Sequence, residues 1–124
     1  MKSYLLDTHI VLWWLSNDPK LPKKAKEIIE NSENHILVSA VSVWEIVIKK
    51  SLKKLSAPDN IKEVLEENGI QLLDMTADHA LFLQGLPYLH QDPFDRLLIS
   101  QALVEDLVLV TADKAIAQYP VPIV

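Results

Sequence analysis

Ser3-Tyr4-Leu5-Leu6-Asp7-Thr8-His9-Ile10-Val11-Leu12-Trp13-Trp14-Leu15-Ser16 is the stretch on which the fold turns. Ser3 to Leu6 is a short apolar strand ending in Asp7, and Thr8 to Ser16 reads as a largely apolar helix stopped by Asn17-Asp18-Pro19. Working outward, the rest of the chain keeps alternating in the same way. Leu21-Pro22 opens an amphipathic helix to about Asn31, with Pro22 suited to a first-turn position, and Ile36-Leu37-Val38 is a second strand. Ser39 is placed to cap a helix from Ala40 to about Lys54, whose Val41, Trp44, Ile48, Leu52 and Leu55 recur at helical spacing and are expected to face the core.

A helix over about Asn60 to Asn68, ended by Gly69, precedes a third strand at Ile70 to Leu73. Thr76 to about Leu83 reads as helix and Pro87 to Gln91 as loop. Asp92-Pro93 begins a helix through Leu103, Leu107 to Val110 is a fourth strand, and Ala112 to Gln118 is a short helix; a last strand at Val121 to Val124 is only weakly indicated. Strands alternating with helices imply parallel pairing through right-handed crossovers. The expected fold is therefore α/β, a three-layer α/β/α sandwich around a central, mainly parallel sheet.

With 124 residues the chain is long enough for one core and too short for two, so residues 1–124 are expected to form a single domain. It has no cysteine, which removes disulfides, thiolate zinc sites and thiol nucleophiles and is compatible with a cytoplasmic location. The apolar runs fall short of a bilayer's thickness, and Met1-Lys2-Ser3 leads into a strand instead of a signal peptide, so no membrane association is expected. Two glycines leave no glycine-rich phosphate loop. The formal charge of -5 argues mildly against a nucleic-acid partner, although lysines gather at Lys20, Lys23, Lys24 and Lys26 and again at Lys49, Lys50, Lys53 and Lys54.

In a parallel sheet of this kind reactive groups collect beyond the carboxyl ends of the strands. Asp7 ends the first strand, Glu45 lies early in the helix after the second, Asp95 is in the first turn of its helix, and Asp113 follows the fourth strand by two residues. All four can converge on one edge. Carboxylates crowded there repel unless some protonate or a cation joins them, and oxygen ligands without cysteine or paired histidines suit Mg2+ or Mn2+. Each acid also has a plainer reading. Asp7 and Asp113 sit where helices start, Asp92-Pro93-Phe94-Asp95 is close to a capping box, and Glu45 with Lys49 makes an i,i+4 pair. Their shared location carries the functional reading. Glu45 also sits among Trp44, Ile46, Val47 and Ile48, an apolar setting that an ordinary surface pair would not need.

His9 lies near Asp7 and packs or orients a ligand, while His35, His79 and His90 are scattered and expected to be exposed. Trp13 and Trp14 cannot share one helix face, so at least one covers a neighbouring helix or a partner chain.

The segments Leu5-Leu6-Asp7-Thr8-His9, Ser39-Ala40-Val41-Ser42-Val43-Trp44-Glu45-Ile46 with Lys49 beyond, Asp92-Pro93-Phe94-Asp95-Arg96-Leu97-Leu98-Ile99-Ser100-Gln101-Ala102 and Leu109-Val110-Thr111-Ala112-Asp113 together resemble the PIN-domain family, in particular VapC-like toxins of type II toxin-antitoxin systems. The resemblance covers essentially the whole chain. It implies a parallel-sheet nuclease fold with Asp7, Glu45, Asp95 and Asp113 as catalytic acids around one or two Mg2+ or Mn2+ ions. It matches Thr8, Ser42 and Thr111 to hydroxyls that support the acids.

The chemistry so implied is in-line hydrolysis of an RNA phosphodiester, with metal charge acidifying water and stabilising phosphate oxygens. Lys49 and Arg96 are candidate phosphate contacts. The resemblance further implies a homodimer and a cognate antitoxin that covers the site. Two other readings stay open: a non-catalytic RNA-binding or regulatory module with the same fold, and a phosphohydrolase of small esters. The second is weakened because no aspartate stands two residues after Asp7.

Overall fold

A computed structural model describes residues 2–124; Met1, part of the reading of the chain start and of the expected domain, lies outside the described residues. The elements follow in the order β1 (Ser3–Leu6), α1 (Thr8–Leu15), α2 (Lys23–Glu30), β2 (His35–Ser39), α3 (Ala40–Ser51), α4 (Ile61–Glu67), β3 (Gln71–Leu73), α5 (Ala77–Phe82), α6 (Pro93–Val104) and β4 (Val108–Val110). The strands form one sheet in the order β3-β2-β1-β4, and every pairing is parallel.

Because successive residues of a strand point to opposite faces, Leu5, Leu37 and Leu109 enter one core while Tyr4, Leu6, Ile36, Val38 and Val110 enter the other. Helices α1, α2 and α4 cover the second face through residues such as Ile10, Ile28 and Leu65, whereas α6 covers the first through Leu97, Leu98 and Ile99. Apolar residues on both faces are what a fully covered parallel sheet requires, and burying each large aliphatic side chain contributes roughly 1.5–3 kcal/mol. The α/β/α sandwich expected from the alternation is the fold observed. Among the described residues no helix is long and apolar enough to cross a membrane.

The strand order places the site. The chain steps from β1 to β2 to β3 in one direction and then returns to the other side of β1 as β4. That reversal opens a crevice at the carboxyl ends of β1 and β4, the position where open α/β sheets bind ligands.

Four expectations need correction. On α3, Trp44 and Leu52 are 56% and 59% exposed, and the buried side is Val41, Ser42, Glu45 and Ile46. Val41 and Leu55 of the expected repeat do face the core, but Trp44 and Leu52 turn outward because Ser42 and Glu45 take the inward positions; Trp44 packs edge-on against Phe94 at 5.1 Å. The same helix stops at Ser51, where Lys53 takes a positive φ of 59°, instead of reaching Lys54. Pro22 stands at the cap position of α2 and not in its first turn. The helix expected over Ala112 to Gln118 shrinks to one 3-10 turn at Ile116–Gln118. Here the chain must turn back at once to lay residues 122–124 beside β4, where Leu109 N donates to Pro122 O at 2.8 Å and Val124 N to Leu109 O at 3.0 Å. The weak last strand is thus a single parallel bridge, Leu109 to Ile123.

Candidate active site

Asp7 leaves β1 at the crevice and caps α1, its Oδ1 accepting from His9 N at 2.7 Å. Its Oδ2 accepts from Thr111 Oγ1 at 2.5 Å, so the ends of β1 and β4 are joined through a side chain from each. Burial raises the Asp7 pKa above the usual carboxylate range against the opposing pull of the Thr111 and His9 donors, and the Asp113 charge adds to the rise. Beside it, Thr8 Oγ1 donates to buried Ser42 Oγ at 2.9 Å, tying α1 to α3. A cleft lined by Asp7, His9, Trp13, Ala112 and Asp113 opens at this point.

Glu45 lies one turn beyond Ser42 on α3 and is only 3% exposed. Lys49 Nζ donates to its Oε2 at 2.8 Å, so the expected i,i+4 pair is present, and that bond is the main reason the Lys49 pKa is raised. The pair satisfies half of the carboxylate. Glu45 Oε1 is buried with no hydrogen-bond partner among the described residues. A buried charged oxygen without a donor costs several kcal/mol in order of magnitude unless something positive meets it.

Asp95 and Asp92 divide the work at the start of α6. Asp92 Oδ1 accepts from Phe94 N at 2.8 Å and Asp95 N at 3.2 Å, with Pro93 in the first turn. The reciprocal half of a capping box is missing, because the Asp95 carboxylate turns instead to His90, with Oδ2 2.8 Å from Nε2. Burial, followed by the charges of Asp92 and Asp7, pushes the Asp95 carboxyl up to about 7. Asp113 follows β4, its backbone N donating to Thr111 Oγ1 at 3.0 Å and its Oδ1 accepting from Ala115 N at 2.9 Å. Asp113 Oδ2 lies 3.4 Å from the same His90 nitrogen. Asp7, Asp95 and Asp113 are therefore brought to one edge, while Glu45 stands on α3 paired with Lys49, which feels the charges of Asp92 and Asp95.

A model of the PIN domain family matches residues 4–122, which contain all four acids and nearly the whole fold. The chain belongs to the PIN domain family. A relative of this PIN domain, Ribonuclease VapC22 of Mycobacterium tuberculosis, is 25% identical over 98% of this chain and 95% of its own length. Among solved structures, VapBC2 from Rickettsia felis bound to a promoter DNA fragment aligns with TM-score 0.72 at 19% identity, covering 98% of this chain and 97% of that one. DNA-bound VapBC from Salmonella typhimurium aligns with TM-score 0.70 at 20% identity, covering 100% and 98%.

Within this PIN domain two sequence expectations are not met. Arg96 is not presented to the cleft: buried to 5% exposure, it donates to Pro87 O at 2.8 Å, Leu86 O at 3.3 Å and Tyr119 Oη at 3.3 Å, and stacks under Tyr88. Two of these bonds hold the loop before α6 and the third ties it to Tyr119, so the guanidinium serves the fold and is not presented to a phosphate. His79 and His90 are not exposed either. His79 is fully buried, with Nε2 2.8 Å from Glu105 Oε2, and His90 sits between two of the acids. His9, by contrast, is open to solvent and lies against Trp13 with ring centroids 5.8 Å apart. His90 is the site residue that sequence reasoning missed. The available signal was its place two residues before the Asp92-Pro93-Phe94-Asp95 run, but a loop residue carries no periodicity to say where it points.

Proposed function

We propose that this chain is a metal-dependent endoribonuclease, the toxin of a toxin-antitoxin pair, with Asp7, Glu45, Asp95 and Asp113 as its working acids. The observation that carries the reading is Glu45 Oε1, buried without a hydrogen-bond partner among the described residues, on the helix whose Ser42 bonds Thr8 beside Asp7, with the Asp7 charge set against those of Asp95 and Asp113. That arrangement fits a hard divalent cation, Mg2+ or Mn2+, because every acid present offers oxygen and no thiolate competes. Asp7 and Asp95 would hold the ion directly, with Asp113 beside them and Glu45 on the side facing α3.

A cation bound there supplies the charge that acidifies a water and stabilises developing charge on phosphate oxygens. The protein's own groups set up the rest. Thr111 and the His9 amide fix the Asp7 carboxylate, Thr8 and Ser42 lock α1 to α3, and Lys49 holds Glu45 while placing a positive charge near the cleft. Glu45 Oε1, free of a donor, can accept a proton or a hydrogen bond from a water approaching the phosphorus in line. Lys49, 35% exposed at its side chain, remains the candidate phosphate contact.

The named nuclease relative supports RNA as the substrate, and the likeness to VapBC complexes supports an antitoxin partner; a homodimer acting in the cytoplasm is proposed from the motif resemblance. The test is purified protein with a cellular RNA pool in Mn2+, Mg2+ or chelator, beside Asp7→Asn prepared identically. Discrete, metal-dependent cleavage confined to the unsubstituted protein is expected; equal cleavage by both preparations would remove the assignment.

A further inference from the structure

We propose that His90 is a positioning residue for the metal site: its Nε2–H donates to Asp95 and lies against Asp113, holding the two acids at the spacing one cation needs, without itself becoming a ligand. The inference rests on the metal reading above and goes beyond it by assigning a residue on the preceding loop. His90 Nε2 is 2.8 Å from Asp95 Oδ2 and 3.4 Å from Asp113 Oδ2, and the three atoms all lie within 4.8 Å of one another. By distance alone they could be three ligands, since ligands about 2.1 Å from one ion and at right angles are about 3 Å apart.

The other ring nitrogen decides between donor and ligand. His90 Nδ1 lies 3.4 Å from Asp92 N, and a backbone N–H can only donate. Nδ1 is therefore the acceptor, and the ring N–H is on Nε2, the nitrogen that faces the acids. A protonated nitrogen has no lone pair for a metal but donates to the Asp95 carboxylate and faces that of Asp113. The loop that carries it is tied down for the purpose. Tyr119 Oη accepts from Leu89 N at 3.0 Å and His90 N at 2.9 Å and donates to Pro87 O at 2.7 Å, while Arg96 holds the Leu86 and Pro87 carbonyls. A donor fixed in this way lets two like charges sit close before any ion arrives and orients them once it has. Groups that orient metal-binding residues in this manner typically change affinity 10–100-fold.

The test is Mn2+ binding to the full chain, followed by the EPR signal of free Mn2+, for the unsubstituted protein, His90→Ala and His90→Gln, with circular dichroism melts to confirm that each is folded. Glutamine is the informative variant because its amide can return an N–H to the place of imidazole Nε2. We expect His90→Ala to weaken binding about tenfold or more and His90→Gln to recover most of the loss. Pulsed EPR of the bound ion should show no nitrogen coupling that disappears in His90→Gln. Such a coupling would overturn the proposal by making His90 a ligand, and equal affinity in all three proteins would overturn it by giving His90 no role. Equal loss in both variants would replace the donor by simple packing. If the unsubstituted protein binds no Mn2+ at all, the metal reading fails and this inference fails with it.

Discussion

The side chains of Asp7 and Thr111, 104 residues apart in sequence, meet in a 2.5 Å hydrogen bond at the carboxyl ends of β1 and β4. The same Thr111 hydroxyl oxygen accepts from Asp113 N at 3.0 Å, so one residue aligns two acids across the crevice. Thr111→Val keeps the shape and removes both bonds, leaving Asp7 Oδ2 buried without its donor. It should destabilise the protein by roughly 1–3 kcal/mol in urea unfolding and weaken Mn2+ binding, while Thr111→Ser should restore both. Stability unchanged in Thr111→Val would mean that the bond is not formed in solution.

Glu45 and Lys49 yield a second prediction, on the cost of a buried charge. Lys49→Met removes the one donor to the Glu45 carboxylate among the described residues and should cost roughly 1–3 kcal/mol in chelator. The double variant Glu45→Met with Lys49→Met should lie close to the unsubstituted protein, because removing both partners leaves no buried carboxylate without a donor. Urea midpoints of the three proteins check this. A double variant no more stable than Lys49→Met would show that the cost lies in packing around α3 and not in the unpaired acid.

Arg96 should behave as a structural residue. Arg96→Met is expected to lower stability by roughly 1.5–3 kcal/mol, the worth of hydrogen bonds to a charged group. The salt dependence of RNA binding should not change. If Arg96 contacted a phosphate, the slope of log affinity against log salt would instead fall by about 0.7 for a single-stranded substrate.

The regular parts of this fold were legible because their signals are local. Ser3 to Leu6 and Ile36 to Val38 read as strands from short apolar runs, and Asp92-Pro93 marked the start of α6 from capping chemistry alone. That Asp7, Asp95 and Asp113 share one edge was legible because strand ends are easy to place. The inward face of α3 was not, since an apolar repeat points to the core only when the core is what the helix faces, and here Ser42 and Glu45 face the site. Arg96 and His90 were misplaced because their partners, the Leu86 and Pro87 carbonyls and the Asp113 carboxylate, are fixed by tertiary contacts that no spacing encodes.

The Asp95 carboxyl also gives the apo protein a pH signature. It is pushed up to about 7 from an ordinary 3.8, so between those values the unfolded chain has lost this proton while the folded chain keeps it. The folded state then binds more protons, and stability falls as pH rises through the window, a contribution fully present below 3.8 and lost above about 7. The raised Asp7 pKa acts in the same direction. Urea midpoints in chelator across this range should decline toward neutral pH, and the decline should be smaller in Asp95→Asn. A parallel decline in both proteins would assign the effect to other groups.

The central claim is that the acids at this edge are assembled for a cation, and thermal melts of the unsubstituted protein and Asp95→Asn at pH 8, in chelator and in Mn2+, test it most directly. Because Asp92 already caps α6, removing the Asp95 charge should cost no helix stability and should relieve repulsion from Asp7 and Asp92. The variant is therefore expected to melt at or above the unsubstituted protein in chelator. It should gain less from Mn2+, since the gain comes from binding to the folded state. A variant lower by roughly 0.5–1 kcal/mol with and without metal, together with equal Mn2+-induced shifts in both proteins, would contradict the account and make Asp95 a helix-start charge and nothing more.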